Sequence, residues 1–118
     1  MTTLFLPWPP STNTLFSGKA RRFKSDGYKA WLTDAYAEYL QQKTHVKKHT
    51  GKVRISLSLK APTKARSDID NRIKSVLDFL VTHQVIVDDD SRYVQSVYAE
   101  WKEMDKACCF VIIEDCEK

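Results

Sequence analysis

The run Ser67-Asp68-Ile69-Asp70-Asn71-Arg72-Ile73-Lys74-Ser75-Val76-Leu77-Asp78-Phe79-Leu80 decides how this chain is read, together with the Val87-Asp88-Asp89-Asp90-Ser91 that soon follows. Ile69, Ile73, Val76, Leu77 and Leu80 recur at the spacing of one helix face. Asp70, Lys74 and Asp78 stand four apart and form a stripe along another face. Asp68 and Asp70 would diverge by about 200° on a regular helix. They converge only if Asp68 precedes the first turn. Ser67 as a cap with Asp70 three residues on has capping-box spacing and puts Asp68 at that boundary. Two acids then stand at a helix entrance, a lysine follows one turn in, and a second acid cluster comes after a short extended segment.

Such a set has a chemical reading and a structural one. Magnesium takes hard oxygen ligands, often one or two carboxylates with substrate phosphate completing the shell. Metal ions so held activate water and stabilise the attacking and leaving oxygens of a phosphodiester. Against this, acids in a first helical turn are favoured by the helix dipole alone, by roughly 0.3–1 kcal/mol. Asp88-Asp89-Asp90 alone reads as an acidic turn, and Lys74 alone as half of an i,i+4 pair with Asp70 or Asp78. The joint occurrence of these features on a basic chain favours the chemical reading.

The chain has 118 residues, 42% hydrophobic and 11% aromatic, which predicts one domain over residues 1–118 with its own core. No apolar run approaches membrane-spanning length and no signal-peptide pattern opens the chain, so a soluble, cytoplasmic protein with no membrane partner is expected. Cys108, Cys109 and Cys116 lack zinc or disulfide spacing and read as reduced thiols near a terminal strand. The net charge of +4 conceals an asymmetry. Residues 17–66 hold thirteen Lys and Arg against three Asp and Glu, whereas residues 67–118 hold six against twelve. A basic half suits a polyanion, and an acid-rich half beside it suits a metal.

In chain order, Thr3-Leu4-Phe5-Leu6 reads as a strand stopped by Pro7, Pro9 and Pro10. Residues 11–24 read as a loop carrying Lys19, Arg21, Arg22 and Lys24 with Phe16 and Phe23 between them. This suits phosphates and unstacked bases, and equally a solvated loop whose aromatics pack inward. Ser25 caps an expected helix bearing Tyr28, Trp31, Leu32, Ala35, Tyr36, Tyr39 and Leu40. Residues 44–51 form a polar connector whose His45 and His49 are expected on the solvated surface. Residues 53–60 alternate as a half-buried strand. Residues 84–87 suggest a brief strand or extended connector, residues 93–101 a strand, and residues 109–113 a strand buried on both faces. The order strand, helix, strand, helix, strand, strand predicts an α/β (α+β) fold, a mixed β-sheet with two main helices packed on it.

These residues resemble the RusA-type Holliday-junction resolvases, small endodeoxyribonucleases encoded largely by phages and prophages. The likeness rests on Leu6-Pro7-Trp8-Pro9-Pro10-Ser11-x-Asn13, on Asp68-x-Asp70-Asn71-x-x-Lys74-x-x-x-Asp78-x-Leu80 and on Asp89-Asp90-Ser91, in order and over most of the chain. It implies a RusA-like homodimer that binds four-way junction DNA in recombination and repair and makes paired, Mg2+-dependent nicks, with Mn2+ as a substitute ion. By the same likeness, Asp68 and Asp70 are metal carboxylates and Lys74 stabilises charge on the scissile phosphate. The third carboxylate is Asp90 when aligned to Ser91 and Asp89 when spaced from Asp70; Asp90 is taken first, with Asp89 beside it. Asp78 takes a supporting role. Lys64 and Arg66, with the basic loop, are expected DNA contacts, although Lys64-Ala65-Arg66-Ser67 is less basic than the arginine run associated with the family. Two rivals stand beside this reading. One is a magnesium nuclease of flaps, other branched DNA or duplex; the other is a non-catalytic DNA-binding module.

Overall fold

The structure, a computed structural model, describes residues 1–12, 16–17, 23–64 and 66–116. Its elements are strands β1 (Thr2–Leu6), β2 (Phe16–Ser17) and β3 (Phe23–Lys24), helix α1 (Asp26–Gln42), strand β4 (Val53–Lys60), helix α2 (Ile73–Thr82), and strands β5 (Val94–Trp101) and β6 (Cys108–Asp115). Tight 3-10 turns occupy Lys43–His45 and Ile69–Arg72. The main sheet has the order β1-β6-β4-β5. β6 runs antiparallel to both β1 and β4, and β4 runs parallel to β5. A parallel pair cannot be joined by a hairpin, and the segment carrying α2 makes the crossover. The mixed sheet with two helices is the α+β fold that the sequence predicts.

The core follows from the two periodicities. Every second residue of β4, Val53, Ile55, Leu57 and Leu59, is fully buried, beside Cys109, Val111 and Ile113 of β6 and Leu4 and Leu6 of β1. α1 lays Tyr28, Trp31, Ala35 and Tyr39 on that face, and α2 adds Val76, Phe79 and Leu80. The Phe79 ring meets Trp31 edge-on at 5.8 Å and Tyr39 at 6.0 Å. Ser25 caps α1 as expected, its hydroxyl accepting the Tyr28 N–H at 3.1 Å. Tyr36 and Leu40 stay half-exposed on α1's outer side. The edge of β1 is closed from within: the Gln42 side-chain amide accepts from the Phe5 N–H and donates to the Phe5 carbonyl, both at 2.8 Å.

Several expectations are corrected. β6 is buried on one face only, because the face holding Phe110 and Ile112 shares its side of the sheet with exposed Phe5 and Tyr98. The 11–24 loop contains the short antiparallel pair of β2 and β3. Residues 84–87 form no strand. They end α2 in a left-handed turn: Gln84 has φ 60°, its N–H donates to the Val81 carbonyl, and the Val85 N–H donates to the Leu80 carbonyl. Val85 and Ile86 then turn into the core, which explains their strand-like apolarity.

His49 is the largest departure in the connector. His45 is exposed as expected, but the His49 side chain is 0% exposed. Its Nε2 lies 2.8 Å from Thr2 Oγ1, its Nδ1 lies 2.6 Å from Asp115 Oδ1, and its backbone N–H donates to the Val85 carbonyl. A polar ring is tolerated there because both nitrogens have partners. Hydrogen bonds from His49 and then Lys47 hold the Asp115 carboxyl down, at about 2.

Three outcomes are expected. His49→Ala leaves a cavity and strands two polar partners, and should cost about 2–4 kcal/mol in denaturant unfolding. Asp115 has a folded-state pKa below its unfolded value, so its contribution is present above about pH 4. That contribution is lost as pH falls towards 2, and the thermal midpoints of the wild type and Asp115→Asn should converge across that window. Gln84→Gly relieves the left-handed strain and should raise stability by up to about 1 kcal/mol.

Candidate active site

The turn that carries Asp68 and Asp70 is held by the arginine at its own end. Arg72 ends the Ile69–Arg72 turn. Its Nε and Nη2 donate to Ser67 Oγ at 3.2 and 3.1 Å, and its Nη1 donates to the Pro9 carbonyl at 2.9 Å. The guanidinium also lies over the Trp8 ring, 4.7 Å from its centroid, and Trp8 in turn stacks on Trp101 at 5.9 Å. Burial pulls the Arg72 pKa below its ordinary value. The group stays charged, because arginine starts so far above neutrality. A second tie runs from Thr12 Oγ1 to the Asn71 carbonyl at 3.0 Å. The proline segment is therefore fastened to the acid-bearing turn at two points.

Asp68 stands just before that turn in extended backbone, φ −86° and ψ 128°, as convergence with Asp70 requires. The expected capping box does not form. The Ser67 hydroxyl is occupied by Arg72, and no side chain caps the turn. Nor does one helix run through 67–80: a 3-10 turn precedes α2. Asp70 is exposed and makes no hydrogen bond to the described residues, while Asp68 meets only the Asn71 amide at 3.5 Å. Lys74 Nζ bonds Asp78 Oδ1 at 3.0 Å. That bond raises the Lys74 pKa despite opposing desolvation, with the Asp78 and Asp89 charges adding to it.

The three successive aspartates differ in what holds them. Asp90 accepts from Arg92 through both carboxylate oxygens, with Nη2 at 2.8 Å, and its pKa is lowered chiefly by that pairing. Asp88 Oδ1 accepts the Asp89 N–H at 2.7 Å, and Asp88 Oδ2 lies 3.9 Å from Arg92. The Asp89 carboxylate makes no hydrogen bond or ion pair with the described residues.

The chain matches the family model described as endodeoxyribonuclease RusA over residues 7–114. It belongs to the RusA family. No curated protein sequence matches the chain. By family, the chain is therefore an endodeoxyribonuclease. No helix among the described residues is long and apolar enough to cross a membrane.

Of the two candidates for the third carboxylate, Asp90 lies in the grip of Arg92, whereas Asp89 makes no ion pair with the described residues. Among the described residues, no three His, Cys, Asp or Glu side chains are grouped closely enough to share one ion. The donor chemistry nonetheless suits magnesium, which selects hard oxygens and keeps several waters, so that one or two carboxylates with substrate phosphate suffice. Of the expected DNA contacts, Lys24, Lys64 and Arg66 are exposed, whereas Lys19, Arg21 and Arg22 lie outside the described residues. Asn13 of the N-terminal motif does too. Sequence reasoning gave Arg72 no role. Its signal was a lone arginine beside the acids and a tryptophan set between prolines far upstream.

Arg72→Lys retains charge but not the planar fork. It should lose about 1–3 kcal/mol of stability, with Arg72→Ala losing more. Both should shift tryptophan fluorescence as Trp8 is freed, read alongside the thermal midpoint.

Proposed function

We propose that this RusA-family chain resolves four-way DNA junctions by paired, symmetric, magnesium-dependent nicks, in recombination and repair. The observation that carries this reading is the pairing pattern around Lys74. Among the described residues, Asp68, Asp70 and Asp89 lack strong partners, while Asp78 and Asp90 are paired with Lys74 and Arg92. Carboxylates left without such partners, with a lysine on the helix that follows, are what a hard cation and a phosphate require. Asp68 and Asp70 would hold Mg2+, or Mn2+ in its place, and Asp89 would join them only by moving in, since no three acids among the described residues are grouped closely enough to share an ion. Asp89 is preferred to Asp90 as third ligand because Asp90 would first have to leave Arg92. The bound ion would supply Lewis acidity and a nucleophilic water at neutral pH.

The chain's own residues have distinct parts in this scheme. Lys74 is protonated, and Asp78 fixes it in place; its ammonium would meet charge developing on the scissile phosphate. Arg72 acts one step removed, by fixing the turn that presents Asp68 and Asp70. A four-way junction offers two symmetry-related strands, and two equal nicks call for two equal sites, so a two-fold homodimer is the proposed active form. The Gln42 amide occupies the outward backbone groups of Phe5, which disfavours pairing of protomers through that stretch of β1.

The decisive measurement is nicking of a synthetic four-way junction beside linear duplex and a flap, with magnesium and with EDTA. Paired nicks on the junction alone are expected, abolished by EDTA and by Asp70→Asn while junction binding persists. Equal cutting of flap or duplex would sink the resolvase reading and leave the nuclease. Binding without cutting would leave a DNA-binding module. Asp89→Asn should lower the nicking rate by about 100-fold or more, the scale of losing one charge-stabilising group. Asp90→Asn should do much less, and the reverse ranking would return the third ligand to Asp90.

A further inference from the structure

At the start of β4, on the opposite end of the strands from the Arg72 turn, lies an open cleft of about 680 Å³. From Arg54 to Leu59, which pairs with Trp101, the separation is about 17 Å at strand rise. Lys47, Lys48, Lys52 and Arg54 line the cleft, with His49 and Asp115 at its base. The backbone beneath these cations is pinned on three sides. The His49 N–H donates to the Val85 carbonyl, the Val53 N–H to the Tyr93 carbonyl, and the Cys116 N–H to the Lys52 carbonyl. The fully buried His49 ring anchors the floor between Thr2 and Asp115.

The charge in the cleft is unbalanced. Among the described residues, Asp115 is the one acid in its lining, and it is already engaged by Lys47 at 2.9 Å and by His49. Glu114 stands opposite Arg54 in the ladder but makes no ion pair with it. Lys48, Lys52 and Arg54 are exposed and have no ion pair among the described residues. Three cations fixed at one concavity without acid partners repel one another, and an anion would relieve that repulsion. Their spread along a connector and a strand suits successive phosphates of a nucleic-acid backbone better than one small anion, which calls for convergent donors.

We propose that this cleft is a phosphodiester-binding site that grips a DNA arm away from the scissile bond, with Lys48, Lys52 and Arg54 as its contacts. This rests on the reading of the chain as a nuclease of branched DNA. The contacts carry no base information, so they set affinity and register rather than sequence preference. Because they lie away from the acids, they leave the chemical step untouched.

The test compares wild type with Lys52→Glu/Arg54→Glu, and with the milder Lys48→Gln/Lys52→Gln in case charge reversal disturbs folding. The reading is junction Kd over a series of salt concentrations. Each lost phosphate contact should reduce the slope of log affinity against log salt by about one. Affinity should fall about tenfold or more at low salt, while the nicking rate at saturating junction stays within twofold of wild type. In parallel, inorganic phosphate is titrated while the backbone amides of Lys48, Lys52 and Arg54 are followed by NMR. Unchanged junction affinity and salt slope in both folded variants would overturn the proposal. So would saturation of the cleft by millimolar inorganic phosphate with no variant effect on junction binding, which would mark a small-anion site. Failure of the wild type to nick would sink the nuclease reading alone, because the binding comparison requires no cleavage.

Discussion

The constraint on which the site depends is the placement of one guanidinium. Arg72 must keep its charge while partly removed from water, and it does so by spending its donors on Ser67 and on the Pro9 carbonyl and by lying over Trp8. The prolines make this possible. They cannot donate to a sheet ladder, so the chain leaves β1 with carbonyls free to accept. Pro7 takes the Trp31 indole N–H at 3.0 Å and Pro9 takes Arg72. Two segments some sixty residues apart thereby become one rigid corner, with Asp68 and Asp70 on its outer surface.

The sheet sets the distance between that corner and the rest of the molecule. β6, the last strand, inserts between β1 and β4, so the core cannot close before the chain is nearly complete. Both helices cover one face, and the sheet's two edges are treated differently. β1 is sealed at Phe5 by the Gln42 amide, whereas β5 keeps Val97, Tyr98 and Trp101 exposed. Trp101 closes the Trp8–Arg72 stack from the edge strand. The acid corner is therefore coupled to β5 rather than to the sealed edge.

Much of this was legible in the sequence because it rests on local periodicity. The alternation of residues 53–60, the cap at Ser25 and the aromatic stripe of α1 each follow from neighbours a few residues apart. So did the position of Asp68 outside the helix. What was not legible depended on partners far away. His49 looks like surface because its connector has no apolar face; only Thr2 and Asp115, 47 and 66 residues distant, make a dry position tolerable. Ser67 looked like a cap until Arg72 claimed its hydroxyl. Val85 and Ile86 looked like strand because burial, not extension, selected them. Asp89 and Asp90 cannot be told apart by type or spacing, and Arg92 distinguishes them by holding one.

The charge asymmetry of the chain does not cancel when it folds. Among the described residues, few pairs join the basic half to the acidic half, chiefly Lys47 with Asp115 and Lys60 with Glu103. Lys74 with Asp78 and Arg92 with Asp90 are spent within the acidic half itself. Unpaired cations therefore remain at one end of β4, and unpaired aspartates remain at the corner that follows the other. A protein that only held DNA would gain nothing from the second feature, since exposed carboxylates beside phosphate repel it. A divalent ion reverses that sign, turning the same carboxylates into the means of drawing a phosphate in. On this argument the acids and the basic cleft act together. In the proposed scheme the cleft would supply affinity that does not depend on metal, and the corner would become attractive to DNA only with an ion bound.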